Sequence, residues 1–377
     1  NHWTAWDFQG NHNYLQFNTN SWQNWKNNYR SNIGFNIAPI EYSNFALRGG
    51  PRLRQSPWMS FWNSINTAIS LGISGKTKVL VCMPPFHTGG WNVLLTPVLH
   101  HGGTCIITKK FDAGEVLQYL SEYACTQFMG VPTMLKMMAA KEAFTTVRLD
   151  QLKYILVGGE AMPLPLIQQY KRKGILIRQG YGMTEAGPNL TSLHHSEALR
   201  KIGSIGKPNM YVELCLKDPE GKTVPSGTRG ELCLRGPLVT PGYWNNQEAT
   251  SQTIRDGWLH SGDIAVCDEE GFLYIVDRIK NMYISGGENV YPAEVERILL
   301  ELDLISEAVV IGVSDARWGE VGKAFIVSRH GRDDHQAILR YCDDHLSRFK
   351  IPKHFEYLDT LPKNSTGKID RKGLGGV

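Results

Sequence analysis

No stretch of these 377 residues approaches the roughly 18 consecutive apolar side chains that a membrane-spanning helix needs. No Cys-x-x-Cys pair occurs either. The 7 cysteines (Cys82, Cys105, Cys125, Cys215, Cys233, Cys267 and Cys342) are dispersed, mostly within apolar runs. That distribution argues for buried thiols in a reducing compartment, and the cytoplasm is the expected location. The pairs His100–His101 and His194–His195 lack a third ligand at metal spacing, which disfavours a metal site built on them. Excess charge is also lacking: a net +4 gives composition no argument for nucleic acid. Acidic residues are scarce early, with Asp7 the only one before Glu41. The chain opens at Asn1 without methionine or an apolar signal segment, and the expectation is a fragment of a longer protein.

What is present is ordinary for a globular protein, 42% hydrophobic and 20% charged, at a length that suits two or three domains. Residues 1–55, rich in asparagine and tryptophan without clear period, predict no definite structure. From Lys78 short buried strands are expected at 78–83, 104–108, 127–131, 154–157 and 175–179. Helices alternate with them, one capped by Asp112, one opened by Pro132 and one over 164–170. Such alternation implies a mostly parallel α/β sheet over 56–206. Residues 207–277 read as a small antiparallel β subdomain, with strands at 212–216, 230–235, 263–267 and 272–276. Residues 278–377 read as a compact α+β unit, with helices at 292–300 and 335–346 and strands at 308–313 and 323–328.

Gly180-Tyr181-Gly182-Met183-Thr184-Glu185 places a hydroxyl and a carboxylate on a turn loosened by glycine. Tyr181 can lie on a base, Thr184 can bond a phosphate oxygen and Glu185 can ligate Mg²⁺. A strand-end turn with incidental polar residues explains the hexapeptide as well. Lys368, closing Leu361–Lys368, offers an ammonium that can neutralise charge as a phosphoanhydride breaks. Gly158-Gly159-Glu160-Ala161 follows a strand and leaves room for a flat ring, or is only a turn. Asp263 can accept two ribose hydroxyls and Arg278 can donate to sugar or phosphate; a surface ion pair is the plainer alternative. Ser285-Gly286-Gly287-Glu288 can meet a pantetheine arm, or merely lead into the helix at Pro292. His87 would line a substrate pocket, although a lone histidine is more often structural.

In this order the segments resemble the adenylate-forming acyl-CoA synthetase family, relatives of firefly luciferase and of peptide-synthetase adenylation domains, over about residues 56–374. Gly180–Gly187 and Ile284–Pro292 are most similar to fatty-acyl and aryl-CoA ligases. The resemblance implies an incomplete large domain, 56–277, followed by a mobile C-terminal domain, 278–377, swinging about Asp277. It implies Gly159, Glu160 and Ala161 beside adenine, Gln179 and Gly180 along the nucleotide and acyl pocket, and His87 and Gly182 facing the acyl group. Thr184 would touch phosphate, Glu185 the metal, and Asp263 and Arg278 the ribose. Lys280 would be a second basic position, Lys368 the catalytic lysine, and Ser285, Gly286 and Gly287 the thioester-step face. The implied cofactors are ATP, Mg²⁺ and coenzyme A, and the implied partner is a small carboxylic acid. Two alternatives stay open: an inactive remnant that binds acyl or adenylate ligands, and transfer to a separate carrier protein. The oligomeric state is not legible.

One departure stands out. Family members carry a Ser/Thr/Gly-rich loop ending in Gly-x-Pro-Lys, whose backbone and hydroxyls wrap the β- and γ-phosphates of ATP. At that place the chain reads Phe45-Ala46-Leu47-Arg48-Gly49-Gly50-Pro51-Arg52, without the Ser/Thr run. A shifted reading frame or a joined fragment is the hypothesis for this region. Encoding DNA with no family-like translation in another upstream frame would count against it.

Overall fold

Strands of the first sheet form because apolar residues predominate on both of their faces, so both faces find cover. The computed structural model describes residues 14–17, 53–84, 87–159, 162–329, 335–363 and 369–374. Parallel strands β2 (Lys78–Val81), β3 (Thr104–Thr108), β4 (Gln127–Gly130), β5 (Tyr154–Val157) and β6 (Ile177–Tyr181) lie in the order β3-β2-β4-β5-β6. Strand β1 (Tyr14–Phe17) pairs antiparallel with β3, inside a segment for which the sequence predicts no structure. Two short antiparallel strands, β7 (Thr191–Ser192) and β8 (Lys207–Pro208), finish the other edge.

Alternate side chains leave opposite faces of each strand. On one face Leu80, Ile106, Phe128 and Ile155 pack on helices α4 (Ala113–Glu122), α5 (Pro132–Ala139) and α7 (Leu164–Arg172). Val79, Val81, Cys105 and Leu156 face the other way, against α1 (Pro57–Leu71) and α3 (Leu95–His100). Asp112 caps α4 as the sequence predicts, its Oδ1 accepting from the backbone N–H of Gly114 at 2.9 Å and Glu115 at 3.0 Å. Short helices α2 (Thr88–Asn92) and α6 (Ala143–Thr146) complete this layer.

Helix α1 has no counterpart in the sequence reading, because its buried face is largely polar. Asn63, Ser64, Asn66 and Thr67 are all buried there. Their partners come from distant loops: Asn63 donates to the Asn92 carbonyl at 2.7 Å, Asn189 donates to Thr67 at 2.7 Å, and the Tyr211 N–H donates to Asn66 at 3.1 Å.

The second sheet is antiparallel: β9 (Glu213–Lys217), β10 (Gly230–Arg235), β12 (Trp258–Cys267), β11 (Ile254–Arg255) and β13 (Leu273–Arg278). Helix α8 (Gln247–Thr253) leads into β11. Strand β12 begins at Trp258 and β13 runs to Arg278, both longer than the sequence predicts. Their ladder continues through Ile264↔Asp277 and Asp263↔Arg278. In the third sheet the hairpin β14 (Tyr283–Ser285) and β15 (Glu288–Val290) joins the long pair β16 (Ile305–Asp315) and β17 (Gly319–Ser328). Strand β18 (His354–Tyr357) adds to β17 in parallel. Helices α9 (Pro292–Leu300) and α10 (His335–His345) cover that sheet through Val295, Ile298, Leu299, Ile338 and Cys342. On its other face Val309 and Phe325 pack with Leu361, and α11 (Arg371–Leu374) lies alongside. Among the described residues, no helix is long and apolar enough to cross a membrane.

Two core tyrosines tie helices to one another and to the sheet: Tyr154 donates to the Leu71 carbonyl, and Tyr170 to the Leu135 carbonyl at 2.9 Å. Burial raises both phenols from 10.0, Tyr154 to about 12 and Tyr170 further. The unfolded chain therefore releases these protons before the folded one does. Stability is intact below pH 10 and should fall as pH rises toward 12, by about 1.4 kcal/mol per pH unit for each such tyrosine. Urea midpoints measured from pH 8 to 11.5 test this, and a flat profile above pH 10 would contradict it.

Candidate active site

The C-terminal ends of β5 and β6 bring the glycine-rich segments side by side. A Cβ at Gly158 would lie 3.5 Å from the Gly180 carbonyl oxygen, and Gly159 has a φ of +89°, in the left-handed region that glycine favours. Gln179 is buried and holds the segment after β5, its Oε1 accepting from the Met162 N–H at 2.9 Å. Glu160 and Ala161 lie outside the described residues. Beyond β6 the chain doubles back so tightly that a Cβ on Gly182 would sit 2.0 Å from the Pro188 carbonyl oxygen. Within that loop Thr184–Ala186 forms a single 3-10 turn.

Tyr181 donates to Asp263 Oδ2 at 2.5 Å, and the Arg278 Nε lies 3.0 Å from Asp263 Oδ1. Asp263 is 4% exposed, so these two partners stand where water would otherwise solvate its oxygens. Burial, reinforced by the Asp263 charge, holds the Tyr181 phenol well above its usual range. The sequence predicts Asp263 and Arg278 together, and their cross-strand register unites them. Tyr181 appears in the sequence as a stacking ring; its hydroxyl bond to Asp263 is an addition that only the fold reveals.

Glu185 Oε1 accepts from the Tyr243 hydroxyl at 3.1 Å, and its backbone carbonyl accepts from the Thr240 N–H at 2.7 Å. Burial, with the Glu185 charge beside it, pushes Tyr243 up to about 12. Thr240 also donates to the Arg54 carbonyl at 2.6 Å, which fastens this loop to the start of α1. Thr184 and Glu185 thus stand on a braced turn. Tyr243 is missed by sequence reasoning, since nothing local marks a tyrosine 58 residues away as the partner of Glu185.

His87 opens α2, its Nδ1 accepting from the Gly89 N–H at 3.0 Å. Close by, Leu80, Val81, Met83, Gly89, Gly90, Leu94 and Met129 line a small apolar recess. Lys280 is exposed in a 3-10 turn after Arg278. Asp277 is buried: Oδ1 accepts from the Arg278 N–H at 2.6 Å and Asn281 Nδ2 at 3.0 Å, while Oδ2 accepts from the Ala293 N–H at 2.7 Å in the first turn of α9. Gly286 and Gly287 form the two-residue turn of the β14–β15 hairpin, closed by the pair Ser285 and Glu288, rather than a direct lead into the helix. Both glycines have positive φ, +61° and +88°, as a two-residue hairpin turn requires. Lys368 lies outside the described residues, as does the segment Phe45–Arg52. Its flanks are anchored on the third sheet: Lys363 bridges to Ile369 and pairs with Glu307, and Arg371 pairs with Glu296 at 2.7 Å.

Gly182→Ala should destabilise at the upper end of the about 1–3 kcal/mol typical of overpacking, because the added carbon meets backbone. Gly287→Ala, with nothing within 4 Å, should cost only the about 1–2 kcal/mol of a left-handed residue. Urea midpoints of the two variants check the order, and the reverse order would refute the close approach.

Residues 58–244 match the AMP-binding enzyme family, and residues 294–368 match the AMP-binding enzyme C-terminal domain. A feruloyl-CoA synthase of Amycolatopsis sp is 41% identical over 309 residues, 82% of this chain and 63% of the relative. The structure of the o-succinylbenzoate CoA synthetase from Bacillus subtilis in complex with the acyl-adenylate intermediate OSB-AMP superposes with a TM-score of 0.79 at 32% identity, covering 87% of this chain and 66% of that one. Its complex with ATP and magnesium ion gives 0.77 at 32% identity, covering 86% and 66%. The chain thus spans about 63% of the length of the curated feruloyl-CoA synthase. With two matched segments that together extend over most of its length, the chain belongs to the AMP-binding enzyme family.

Proposed function

We propose that the protein, in its intact form, activates a carboxylic acid with ATP to acyl-AMP and transfers the acyl group to coenzyme A. The observation that carries this reading is the meeting of Tyr181, Asp263 and Arg278 beside the turn bearing Thr184 and Glu185. An edge of glycine backbone, a carboxylate for a ribose and a second carboxylate for a cation suit an adenylate better than any other ligand class. The acid is an aryl or fatty acid; the feruloyl and succinylbenzoate names of the relatives favour the aryl class.

Glu185 is the residue that would hold Mg²⁺. Its Oε2 has no hydrogen bond among the described residues, which suits a hard cation. Bound there, Mg²⁺ would supply charge neutralisation on the phosphates. Thr184 would donate to the α-phosphate, and Gln179 would keep the adenine-side segment in position through Met162. Asp263, paired with Arg278 and hydrogen-bonded by Tyr181, would orient the ribose. The Lys368 ammonium would stabilise the oxyanions as carboxylate oxygen attacks the α-phosphorus and pyrophosphate leaves. After that step, residues 278–377 would rotate relative to 56–277 about Asp277, bringing Ser285, Gly286 and Gly287 to the site, where the coenzyme A sulfur attacks the acyl carbon, the acyl C–O bond breaks to release AMP, and the thiol proton passes to solvent. Lys280 would assist with charge at the same boundary. The expected setting is cytoplasmic acid activation, with fatty-acid metabolism the alternative to aryl-acid metabolism.

One observation favours a second reading, a remnant that binds acyl-adenylate without turnover: the Phe45–Arg52 segment lacks the hydroxyls that would wrap ATP. Losing three charge-assisted hydrogen bonds at about 1.5–3 kcal/mol each would weaken ATP roughly a thousandfold or more. Pyrophosphate release with aryl and fatty acids should be detectable and coenzyme A-independent, and should drop by at least about 100-fold in Lys368→Ala and Glu185→Gln. Equal release by Lys368→Ala and the parent protein would remove Lys368 from the mechanism. Tight binding of a non-hydrolysable acyl-AMP mimic by calorimetry, with no pyrophosphate released, would support the remnant instead.

A further inference from the structure

On the second sheet three donor side chains of different chemistry converge beside Asp263 but apart from its partners, Glu231 Oε1 also accepting from the Gly262 N–H at 3.0 Å. Cys233 on β10 lies directly across from His260 on β12, so both side chains leave the same face. Glu231 stands two positions earlier on β10, and a register shift between Glu231 and Cys233 accompanies the approach of its carboxylate to the same ring. Glu231 Oε2 is 2.7 Å, and Cys233 Sγ 3.4 Å, from His260 Nδ1. One ligand atom from each residue lies within 4.8 Å of the other two. Cys233 is fully buried, and the side chains of Glu231 and His260 are only 16% and 10% exposed.

Protons alone do not satisfy this cluster. His260 Nδ1 also lies 2.7 Å from the Arg255 Nη2. A protonated Nδ1 suits the Glu231 carboxylate but repels the guanidinium; a lone pair on Nδ1 suits Arg255 but repels the carboxylate. A cation bound by the lone pair, the carboxylate and a thiolate removes the conflict. Arg255 brings positive charge to that place, 3.6 Å from Glu231, from the two-residue strand β11 with half its side chain in solvent. From there it can swing outward.

We propose that Glu231, Cys233 and His260 form a site for a thiophilic divalent cation of the zinc class, separate from the Mg²⁺ position at Glu185. A thiolate, an imidazole and a carboxylate match Zn²⁺ in type and number, with a fourth tetrahedral position for water. Mg²⁺ prefers all-oxygen ligands and is a poor match. Burial first, and the Glu231 charge second, push the Cys233 thiol up to about 12, so metal binding must displace its proton and strengthens as pH rises.

The test uses the full chain, stripped with a chelator and titrated with Co²⁺ as a spectroscopic stand-in for Zn²⁺. One equivalent should produce a thiolate-to-cobalt charge-transfer band with four-coordinate d–d absorption. One equivalent of Zn²⁺ should abolish both, and excess Mg²⁺ should not. Cys233→Ser should lose the charge-transfer band, and His260→Ala should weaken Co²⁺ by more than the about 10–100-fold typical of losing an outer-shell partner. Arg255→Ala, at an exposed side chain whose loss leaves the fold intact, should tighten Co²⁺ binding several-fold. A parent protein without the band, a band that survives Cys233→Ser, or unchanged or weaker binding in Arg255→Ala overturns the proposal.

Discussion

Asp263 is the constraint on which the candidate site depends. A carboxylate at 4% exposure cannot remain charged without compensation, and its two oxygens are met by Tyr181 and Arg278. Those partners come from different sheets, so the same interaction fixes the first sheet's edge relative to the second. Tyr181 leaves the end of β6, while Asp263 and Arg278 face each other across β12 and β13. A second bridge, Leu273 against Gly206, holds the same two sheets together farther along. The loop carrying Thr184 and Glu185 hangs directly from β6 and inherits its position.

The next residue along β13 repeats the device for the third sheet. Asp277 is also buried, and its second oxygen accepts the Ala293 N–H near the start of α9, where the helix dipole favours negative charge. Around that contact lie polar bonds: Glu294 takes Lys350 at 2.6 Å and approaches Arg229, just before β10, at 3.5 Å. Apolar side chains of the third sheet instead pack among themselves and with α9 and α10. This junction is built of hydrogen bonds and partly buried ion pairs in place of a shared apolar core.

Legibility in the sequence followed locality. The parallel strands were readable because β2, β4 and β5 are short, largely apolar runs, and the helices α4 and α5 because Asp112 and Pro132 mark their starts. Helix α1 was not, since Asn63, Asn66 and Thr67 occupy its buried face and are satisfied by Asn92, Tyr211 and Asn189. Of the candidate site, the pairing of Asp263 with Arg278 was foreseeable from strand ends. The bonds Tyr181–Asp263 and Tyr243–Glu185 were not, and neither was the convergence of Glu231, Cys233 and His260.

By itself the sequence determined which segments must be buried and where the backbone needs glycine, because hydrophobic transfer and φ preference act within a few residues. Only the tertiary structure decided which polar group meets which. Those choices depend on strand register and loop closure across separations of 82 residues for Tyr181 and Asp263 and 58 for Glu185 and Tyr243. Over such distances a side chain carries no mark of its partner until the apolar layers have packed and set the register.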